Sequence, residues 1–303
     1  MKENKVVIIG CGNVGMSYAY SLVNQRNSID SLYIIDINRT KLKGEVMDLN
    51  HTLPYSPSRM SIHAGTYKDC RDAAIVTICA GVPQNKGQTR IDLINDNNKI
   101  LKEIVKNVMD NGFNGIFLLA CNPVDAMSYL TWKYSGLPAK QVIGSGTVLD
   151  SARLKYIIAK KTRINSKSVH GYVIGEHGDS EFIPWNSIDI GLQSIDDFLT
   201  NDDKEKISEK VKNAAYEIIN AKGNTSYGIG VCLARITNAI LSDEHLVLPV
   251  SNYDKENDVF IGMPAVIGRE GIIKRINLSL NKKDEDKLNH SISVIKDAIK
   301  SVK

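Results

Sequence analysis

Short apolar runs alternate with amphipathic segments of helical length through the first half of the chain. The runs that predict strands are "KVVIIG", "LYIID", "SIHAG", "AAIVTICAG", "GIFLLACN" and "QVIGSG". Between them, segments such as residues 92–110, "DLINDNNKILKEIVKNVMD", place apolar residues at helical spacing. Continuous apolar strands separated by helices are typical of a parallel sheet that is buried on both faces. The pattern predicts an α/β fold with a doubly wound parallel sheet, whose ligand lies beyond the carboxyl ends of the strands.

The pattern changes after about residue 145. A helix is predicted from Asp150, followed by a strand-like "VHGYVIG", two long helical stretches near residues 202–242, and the runs "VLPVSNY", "AVIGREGII" and "RINLSL". Short turns in this region favour antiparallel pairing. We therefore predict a doubly wound domain over residues 1–145 and a mixed α+β domain over residues 146–303. Because no Pro/Gly/Ser-rich linker separates them, we expect the two to pack tightly around a cleft.

The sequence "GCGNVG" follows the first strand and opens a helix, which puts Gly10, Gly12 and Gly15 in a GxGxxG pattern. The first glycine permits a tight turn, the second lets a pyrophosphate approach the backbone, and the third allows close packing of helix and strand. Asp36 ends the second strand, about 20 residues further on, where an acid accepts hydrogen bonds from the adenosine ribose. An acid there repels a 2′-phosphate. The first half is thus predicted to be a Rossmann-type domain that binds NAD rather than NADP.

Composition excludes several other classes. The chain has 303 residues, 43% of them hydrophobic, and a net charge of +4 without a dense Lys/Arg stripe, which argues against a nucleic-acid partner. Its five cysteines are odd in number and form no CxxC pair, which favours reduced thiols over disulfides and predicts no metal site. No apolar run approaches the roughly 18 residues that span a bilayer. We expect a soluble, cytoplasmic protein that does not enter membranes.

Three residues of the second half suggest a reaction. Asp150 and Arg153 lie one helical turn apart in "VLDSARLKY", so both side chains can point into the cleft, although such pairs are often surface salt bridges. His177 lies in the Gly-flanked polar turn "VIGEHGDSE". A carboxylate on its far nitrogen would make His177 a general acid near neutral pH, and a guanidinium can bind a substrate carboxylate in a bidentate manner. With a nicotinamide, these groups describe hydride transfer to a 2-oxo acid.

The chain resembles the lactate/malate dehydrogenase family, and within it the L-lactate dehydrogenases, over nearly its whole length. The matching stretches are "GCGNVG", "GEVMDLNH", "AGVPQNKGQTR", "CNPVD", "VIGSGTVLDSAR", "GEHGDS" and "TSYGI", in the family's order. The resemblance implies reversible hydride transfer between NADH and pyruvate, with His177 and Asp150 as the proton-transfer dyad. Arg153 would anchor the substrate carboxylate. The family also implies a homotetramer.

The resemblance assigns further residues to the cofactor and the substrate. Asn122 would neighbour both the cofactor and the substrate oxygen, and Thr225 would line the substrate pocket. Ile229 would line the nicotinamide, Ser145 would lie near its carboxamide, and Val14 would lie along the dinucleotide. Each has a plainer interpretation, such as a turn residue for Asn122 or a core residue for Ile229.

In the family, the segment "GVPQNKGQTR" closes over bound substrate. Its last residue, Arg90, would then approach the reacting carbonyl oxygen as negative charge develops there. Gln84 would reach the side chain of the substrate. Relatives that prefer malate hold an arginine at that position, which pairs with the second carboxylate of oxaloacetate. A neutral glutamine therefore favours a monocarboxylate such as pyruvate.

Several alternatives remain at this level. "GNTSYG" also resembles branched-chain 2-hydroxyacid dehydrogenases, whose pockets admit larger side chains. Lys155 and His170 stand where many bacterial members hold an arginine and a histidine that bind fructose 1,6-bisphosphate, and lysine loses bidentate phosphate geometry, so weakened or absent activation is expected. A non-catalytic NAD(H)-binding protein would not need the catalytic side chains. An NAD-dependent glycosidase would need a metal held by Cys and His, a pairing that these motifs lack.

Overall fold

The first half of the chain forms six parallel strands in the computed structural model, which describes residues 3–82 and 90–302. The strands are β1 (Lys5–Ile9), β2 (Ser31–Ile35), β3 (Ser61–Ala64), β4 (Ile75–Ile78), β5 (Ile116–Leu119) and β6 (Val142–Gly144). They lie in the order β3-β2-β1-β4-β5-β6, and each neighbouring pair is parallel. The strand order reverses between β1 and β4, where a crevice is expected beyond the carboxyl ends. The doubly wound sheet predicted from the sequence is confirmed.

Helices cover both faces of this sheet. They are α1 (Asn13–Val23), α2 (Arg39–Thr52), α3 (Arg90–Asp110) and α4 (Val124–Ser135). Tyr18 of α1 and Leu42 of α2 belong to a buried cluster on one face, whereas Val105 of α3 and Met127 of α4 belong to a cluster on the other. The strands between these two layers are buried on both sides. That burial explains why they read as continuous apolar runs in the sequence.

The second half combines helices with antiparallel strands, as predicted. Its helices are α5 (Val148–Thr162), α6 (Asn201–Lys222), α7 (Tyr227–Leu241) and α8 (Lys282–Lys300). Its strands are β7 (Val169–His170), β8 (Asp189–Ile190), β9 (Gln193–Ser194), β10 (Leu246–Asp254), β11 (Val259–Gly268) and β12 (Gly271–Arg275). The last three extend the parallel sheet in the order β12-β11-β10-β6, and Ser251 of β10 pairs with Gly144 of β6. Within the described ranges, no helix is long and apolar enough to cross a membrane.

Some predicted strands are shorter than their apolar runs. In "VHGYVIG", regular pairing stops after Val169–His170, because Gly171 and Gly175 adopt φ values of 150° and 102° that break an extended ladder. The run "AVIGREGII" is a hairpin rather than one strand, since β11 ends before the turn at residues 269–270. In "RINLSL", only the first residue lies in a strand. These breaks are local turns that apolar spacing does not reveal.

All five cysteines are free thiols, and all except Cys79 are buried. Burial raises the pKa of Cys70, Cys121 and Cys232 to about 12. These thiols therefore stay protonated at neutral pH, and inert buried thiols of this kind act as small apolar side chains.

Candidate active site

The loop between β1 and α1 has the shape that its glycines predict. A Cβ on Gly10, whose φ is 107°, would lie 2.7 Å from the backbone nitrogen of Ala80, and a Cβ on Gly15 would lie 1.9 Å from the carbonyl oxygen of Gly10. Gly12, the N-cap of α1, differs because, among the described residues other than its chain neighbours, no atom lies within 4 Å of the position that a Cβ would take. The protein itself thus requires Gly10 and Gly15, whereas Gly12 borders open space at a helix N-terminus. A pyrophosphate at this position would be favoured by the helix dipole.

Asp36 lies beside this loop at the end of β2. Its Oδ2 accepts the backbone N–H of Cys11 at 2.7 Å, and its Oδ1 accepts that of Asn38 at 2.8 Å. Burial alone would raise the pKa of Asp36, but these hydrogen bonds hold it below its ordinary value. A half-buried, ionised carboxylate therefore borders the glycine loop, as recognition of the ribose hydroxyls requires.

The other predicted cofactor residues lie on the elements that meet at this edge of the sheet. Val14 is in the first turn of α1, while Asn122 and Ser145 follow β5 and β6. Ile229 is in the first turn of α7, next to Gly230, where a Cβ would lie 2.6 Å from the backbone of α1. This tight crossing brings the start of α7, which is predicted to line the nicotinamide, close to α1, which is predicted to bind the pyrophosphate.

The predicted catalytic side chains meet directly. Nδ1 of His177 lies 2.7 Å from Oδ2 of Asp150, and Nη1 of Arg153 donates to Oδ1 of the same carboxylate, also at 2.7 Å. The Asp150 side chain is 2% exposed and that of Arg153 is 12% exposed, so this pair is not a surface salt bridge. His177 is 25% exposed, which lets it meet a ligand.

Asp150 and His177 shift each other's pKa in the directions that favour their charged forms. Burial alone would raise the pKa of Asp150, but the charge and hydrogen bond of His177, together with Arg153, lower it. Burial alone would lower the pKa of His177, but the charge and hydrogen bond of Asp150 outweigh burial and raise it to about 9. This value is higher than the near-neutral one predicted from the sequence. Asp150 is the main cause of the rise, and smaller contributions in the same direction come from Glu181 when it is ionised and from Asp125.

Glu181 is one residue that the sequence analysis missed. A carboxyl oxygen of Glu181 and ligand atoms of Asp150 and His177 all lie within 4.8 Å of one another. Burial, followed by the charge of Asp150, raises the pKa of Glu181 to about 9, so it carries a proton at neutral pH. A group of this composition can hold a metal ion. Here, however, each oxygen of Asp150 already contacts a cationic side chain, an arrangement that suits proton transfer.

Asn97 of α3 is a second missed residue. It is 4% exposed, and its Oδ1 accepts the backbone N–H of Val82 at 2.8 Å. Its Nδ2 donates to the carbonyl oxygen of Asn122 at 2.9 Å. Asn97 therefore ties the start of the segment that contains Gln84 to the end of β5.

Two predictions concern the segment itself. Gln84 lies outside the described residues. Arg90 is the first residue of α3, but its side chain is also outside the described part. Thr225 lies half-buried between α6 and α7. The roles of these three residues remain predictions.

The two predicted effector residues line one cavity of about 230 Å³. Nζ of Lys155 lies 5.3 Å from the ring centroid of Tyr172, and burial lowers the pKa of this lysine. His170 is exposed at the end of β7. Asp189 also lines the cavity and adds a negative charge.

Comparison with known proteins places the chain in a family. Residues 4–144 match the family described as "lactate/malate dehydrogenase, NAD binding domain". Residues 147–303 match the family described as "lactate/malate dehydrogenase, alpha/beta C-terminal domain". An L-lactate dehydrogenase of Halalkalibacterium halodurans is 52% identical over 300 residues, which cover 98% of this chain and 96% of the relative. L-lactate dehydrogenase 2 of Bacillus cereus is 47% identical over 309 residues, or 99% of this chain and 98% of the relative. The chain belongs to the lactate/malate dehydrogenase family.

Solved structures agree with this assignment. A lactate dehydrogenase from a Medee basin deep-sea metagenome library has a TM-score of 0.96 and 48% identity, with 99% of each chain covered. The minor L-lactate dehydrogenase of Enterococcus mundtii in its ligands-bound form has a TM-score of 0.97 and 43% identity, covering 100% of this chain and 99% of that one. Its ligands-unbound form has a TM-score of 0.91 at 42% identity, covering 100% and 98%. The backbone thus matches the bound form of that relative better than its unbound form.

Proposed function

We propose that this protein is an L-lactate dehydrogenase, which reduces pyruvate to (S)-lactate with NADH and catalyses the reverse reaction. The observation that carries the proposal is the contact of one buried carboxylate, Asp150, with both His177 and Arg153 at 2.7 Å. In this proposal, the two contacts would hold a proton donor and a carboxylate anchor side by side. The relatives named L-lactate dehydrogenase, which match nearly the full length, support the same assignment.

NAD(H) would be held by the glycine loop, by Asp36 at the ribose, and by Val14, Asn122, Ser145 and Ile229. The fit rests on the open space at Gly12 and on the ionised carboxylate beside it. When bound, the nicotinamide supplies a hydride to the carbonyl carbon of the substrate.

The side chains of the chain supply the remaining chemistry. Because Nδ1 of His177 is bonded to Asp150, Nε2 is the nitrogen that can give a proton to the carbonyl oxygen. Asp150 fixes this tautomer and stabilises the imidazolium. Arg153 donates one N–H to Asp150, and its other N–H groups can bind the substrate carboxylate. Arg90 would approach the carbonyl oxygen when its segment closes and expels water.

Substrate choice is proposed to rest on Gln84 and Thr225. The test is kcat/KM for pyruvate, oxaloacetate and 2-oxoisocaproate, followed through NADH absorbance. Preference for pyruvate supports the proposal, whereas preference for oxaloacetate or 2-oxoisocaproate would indicate a malate or branched-chain 2-hydroxyacid dehydrogenase. Absence of turnover with NADH binding intact would favour a non-catalytic NAD(H)-binding protein.

A substitution sharpens this test of specificity. Gln84→Arg should raise kcat/KM for oxaloacetate and lower it for pyruvate, because the new cation pairs with the second carboxylate. Gln84→Asn is the matched control, since it alters the side chain without adding charge. Equal gains for oxaloacetate in both variants would contradict the role of charge.

We further propose that activation by fructose 1,6-bisphosphate is weak or absent. Lys155 lacks the bidentate geometry of arginine, and Asp189 places a negative charge in the same cavity. Pyruvate saturation should therefore be unchanged by the sugar bisphosphate. A large drop in the pyruvate KM would contradict this, and Lys155→Arg should increase any response.

A homotetramer and a cytoplasmic location are implied by the family and stay predictions for this chain. Sedimentation equilibrium of the purified protein tests the first, and fractionation of the cells that produce it tests the second. A monomer would contradict the assembly prediction without bearing on the reaction.

A further inference from the structure

Asp125 is a buried carboxylate that the proposed mechanism does not use. It lies in the first turn of α4 and is 2% exposed. Its Oδ2 accepts the backbone N–H of His177 at 2.8 Å, and its Oδ1 accepts the hydroxyl of Ser251 in β10 at 2.5 Å. Burial raises its pKa to about 6, so the carboxylate is mostly ionised at neutral pH despite the cost of burying a charge. Three segments that are distant in the chain meet at this one group.

Asp125 contacts the backbone of His177, the proposed proton donor. The segment that carries His177 has antiparallel bridges at Gly175 and Phe182, and residues 176–181 form a loop between them. Within this loop, Asp125 holds the backbone of His177 while Asp150 holds Nδ1 of its ring. Two anchors, one on the backbone and one on the imidazole, define where Nε2 can lie.

We propose that Asp125 is a positioning residue for the general acid, which holds the backbone at His177 so that the imidazole stays on Asp150 with Nε2 available to the substrate. The inference rests on the proposed function, in which His177 donates a proton. Asp125 follows shortly after Asn122 in "CNPVD", so it also joins the predicted cofactor side of the cleft to the proton donor. Hydrogen bonds from a backbone N–H to a carboxylate are charge-assisted and strong, which suits this task.

Substitutions at Asp125 separate position from charge. Asparagine has the same shape, and its Oδ1 can accept the N–H of His177 while its Nδ2 donates to the oxygen of Ser251. Alanine removes both contacts, and glutamate keeps the charge but displaces it by one methylene. Ser251→Ala removes one partner of Asp125 and leaves the bond to His177.

The experiment measures pyruvate reduction, NADH affinity by fluorescence and the melting temperature Tm for each variant. Asp125→Ala and Asp125→Glu should lower kcat by about 10- to 100-fold, because a small displacement of the proton donor slows the chemical step. Pyruvate KM and NADH Kd should change by less than about threefold, since the groups that bind them are intact. Asp125→Asn should restore most of kcat, and Ser251→Ala should have a smaller effect than Asp125→Ala.

Asp284→Ala is the matched control. Asp284 is a carboxylate of similar burial, 6% exposed, and its oxygens accept hydrogen bonds from Asn281 and Lys287 at the start of α8. This variant should lower Tm with kcat intact. A wild-type kcat in both Asp125→Ala and Asp125→Glu would overturn the inference, as would an Asp125→Asn variant as slow as Asp125→Ala. If Asp125→Ala does not fold, the contrast between glutamate and asparagine decides. Absence of turnover in the unaltered protein would instead overturn the proposed function itself.

Discussion

The cofactor side and the catalytic side of the proposed site are built by different means. The cofactor side depends on backbone shape, because Gly10 and Gly15 have no room for a Cβ and Gly12 leaves space for a ligand. The catalytic side depends on side chains, because Asp150 and His177 come from separate segments and meet at 2.7 Å. Substitutions that add atoms should therefore impair the cofactor side. Substitutions that remove or displace atoms should impair the catalytic side.

Removing the imidazole of His177 should have the largest effect. In His177→Asn, kcat/KM for pyruvate should fall by about 10²- to 10⁴-fold, because general acid catalysis is lost. NADH affinity should be unchanged, since the glycine loop and Asp36 are intact. Steady-state kinetics with fluorescence titration of NADH checks both. Turnover close to that of the unaltered protein would show that another group donates the proton.

Replacing the guanidinium of Arg153 tests how the substrate is anchored. Arg153→Lys keeps the charge but loses the fork geometry, and a charge-assisted hydrogen bond contributes about 1.5–3 kcal/mol. We expect the pyruvate KM to rise by roughly 10- to 100-fold for that loss. Lys160→Ala, an exposed change on the same helix, is the control. An unchanged KM in Arg153→Lys would remove this residue from the carboxylate site.

Two glycine variants sharpen the contrast on the cofactor side. Gly12→Ala adds a methyl group that meets no described residue within 4 Å apart from its chain neighbours, so Tm should be nearly unchanged while the NADH Kd rises by about tenfold. Gly15→Ala places a Cβ 1.9 Å from the carbonyl oxygen of Gly10, so this variant should have a lower Tm or fail to fold. If Gly12→Ala bound NADH as well as the unaltered protein, the open space would not be the pyrophosphate site.

The same contrast explains what the sequence could predict. The sheet, the glycine loop and Asp36 follow from local spacing, since each depends on a strand, a turn and a helix that are adjacent in the chain. Gln84 and Arg90 were assigned from resemblance, and their side chains lie outside the described part of the structure. Glu181 and Asp125 stand within the motifs "VIGEHGDSE" and "CNPVD", yet polar loop residues carry no sign of burial. Their significance depends on contacts between distant segments, which spacing along one chain does not show.

Glu181→Gln should produce the smallest effect, a shift in pH dependence. At neutral pH the protonated Glu181 and glutamine are both neutral, so kcat should be similar. At alkaline pH Glu181 ionises, and its charge favours protonated His177, an effect that glutamine cannot provide. The pH at which pyruvate reduction is halved should therefore fall by roughly one unit in the variant. Identical pH profiles would show that Glu181 does not act on the dyad.

Glu181 has a means of exchanging its proton. It lines a cavity of about 560 Å³, whose wall also includes the exposed residues Glu209 and Lys212 of α6 and Asp286 and His290 of α8. Solvent that enters this cavity can protonate Glu181. The pH profiles of the two proteins should be compared at one ionic strength, because salt screens interactions between exposed charges.

The most direct test of the proton-transfer dyad is the pH dependence of kcat/KM in both directions. Pyruvate reduction needs protonated His177, so it should fall as the pH rises through a pKa near 9, the value that Asp150 imposes on the imidazole. Lactate oxidation needs the neutral imidazole and should rise through the same pKa. Profiles that change in the same direction, or that show no titration in this range, would contradict the account.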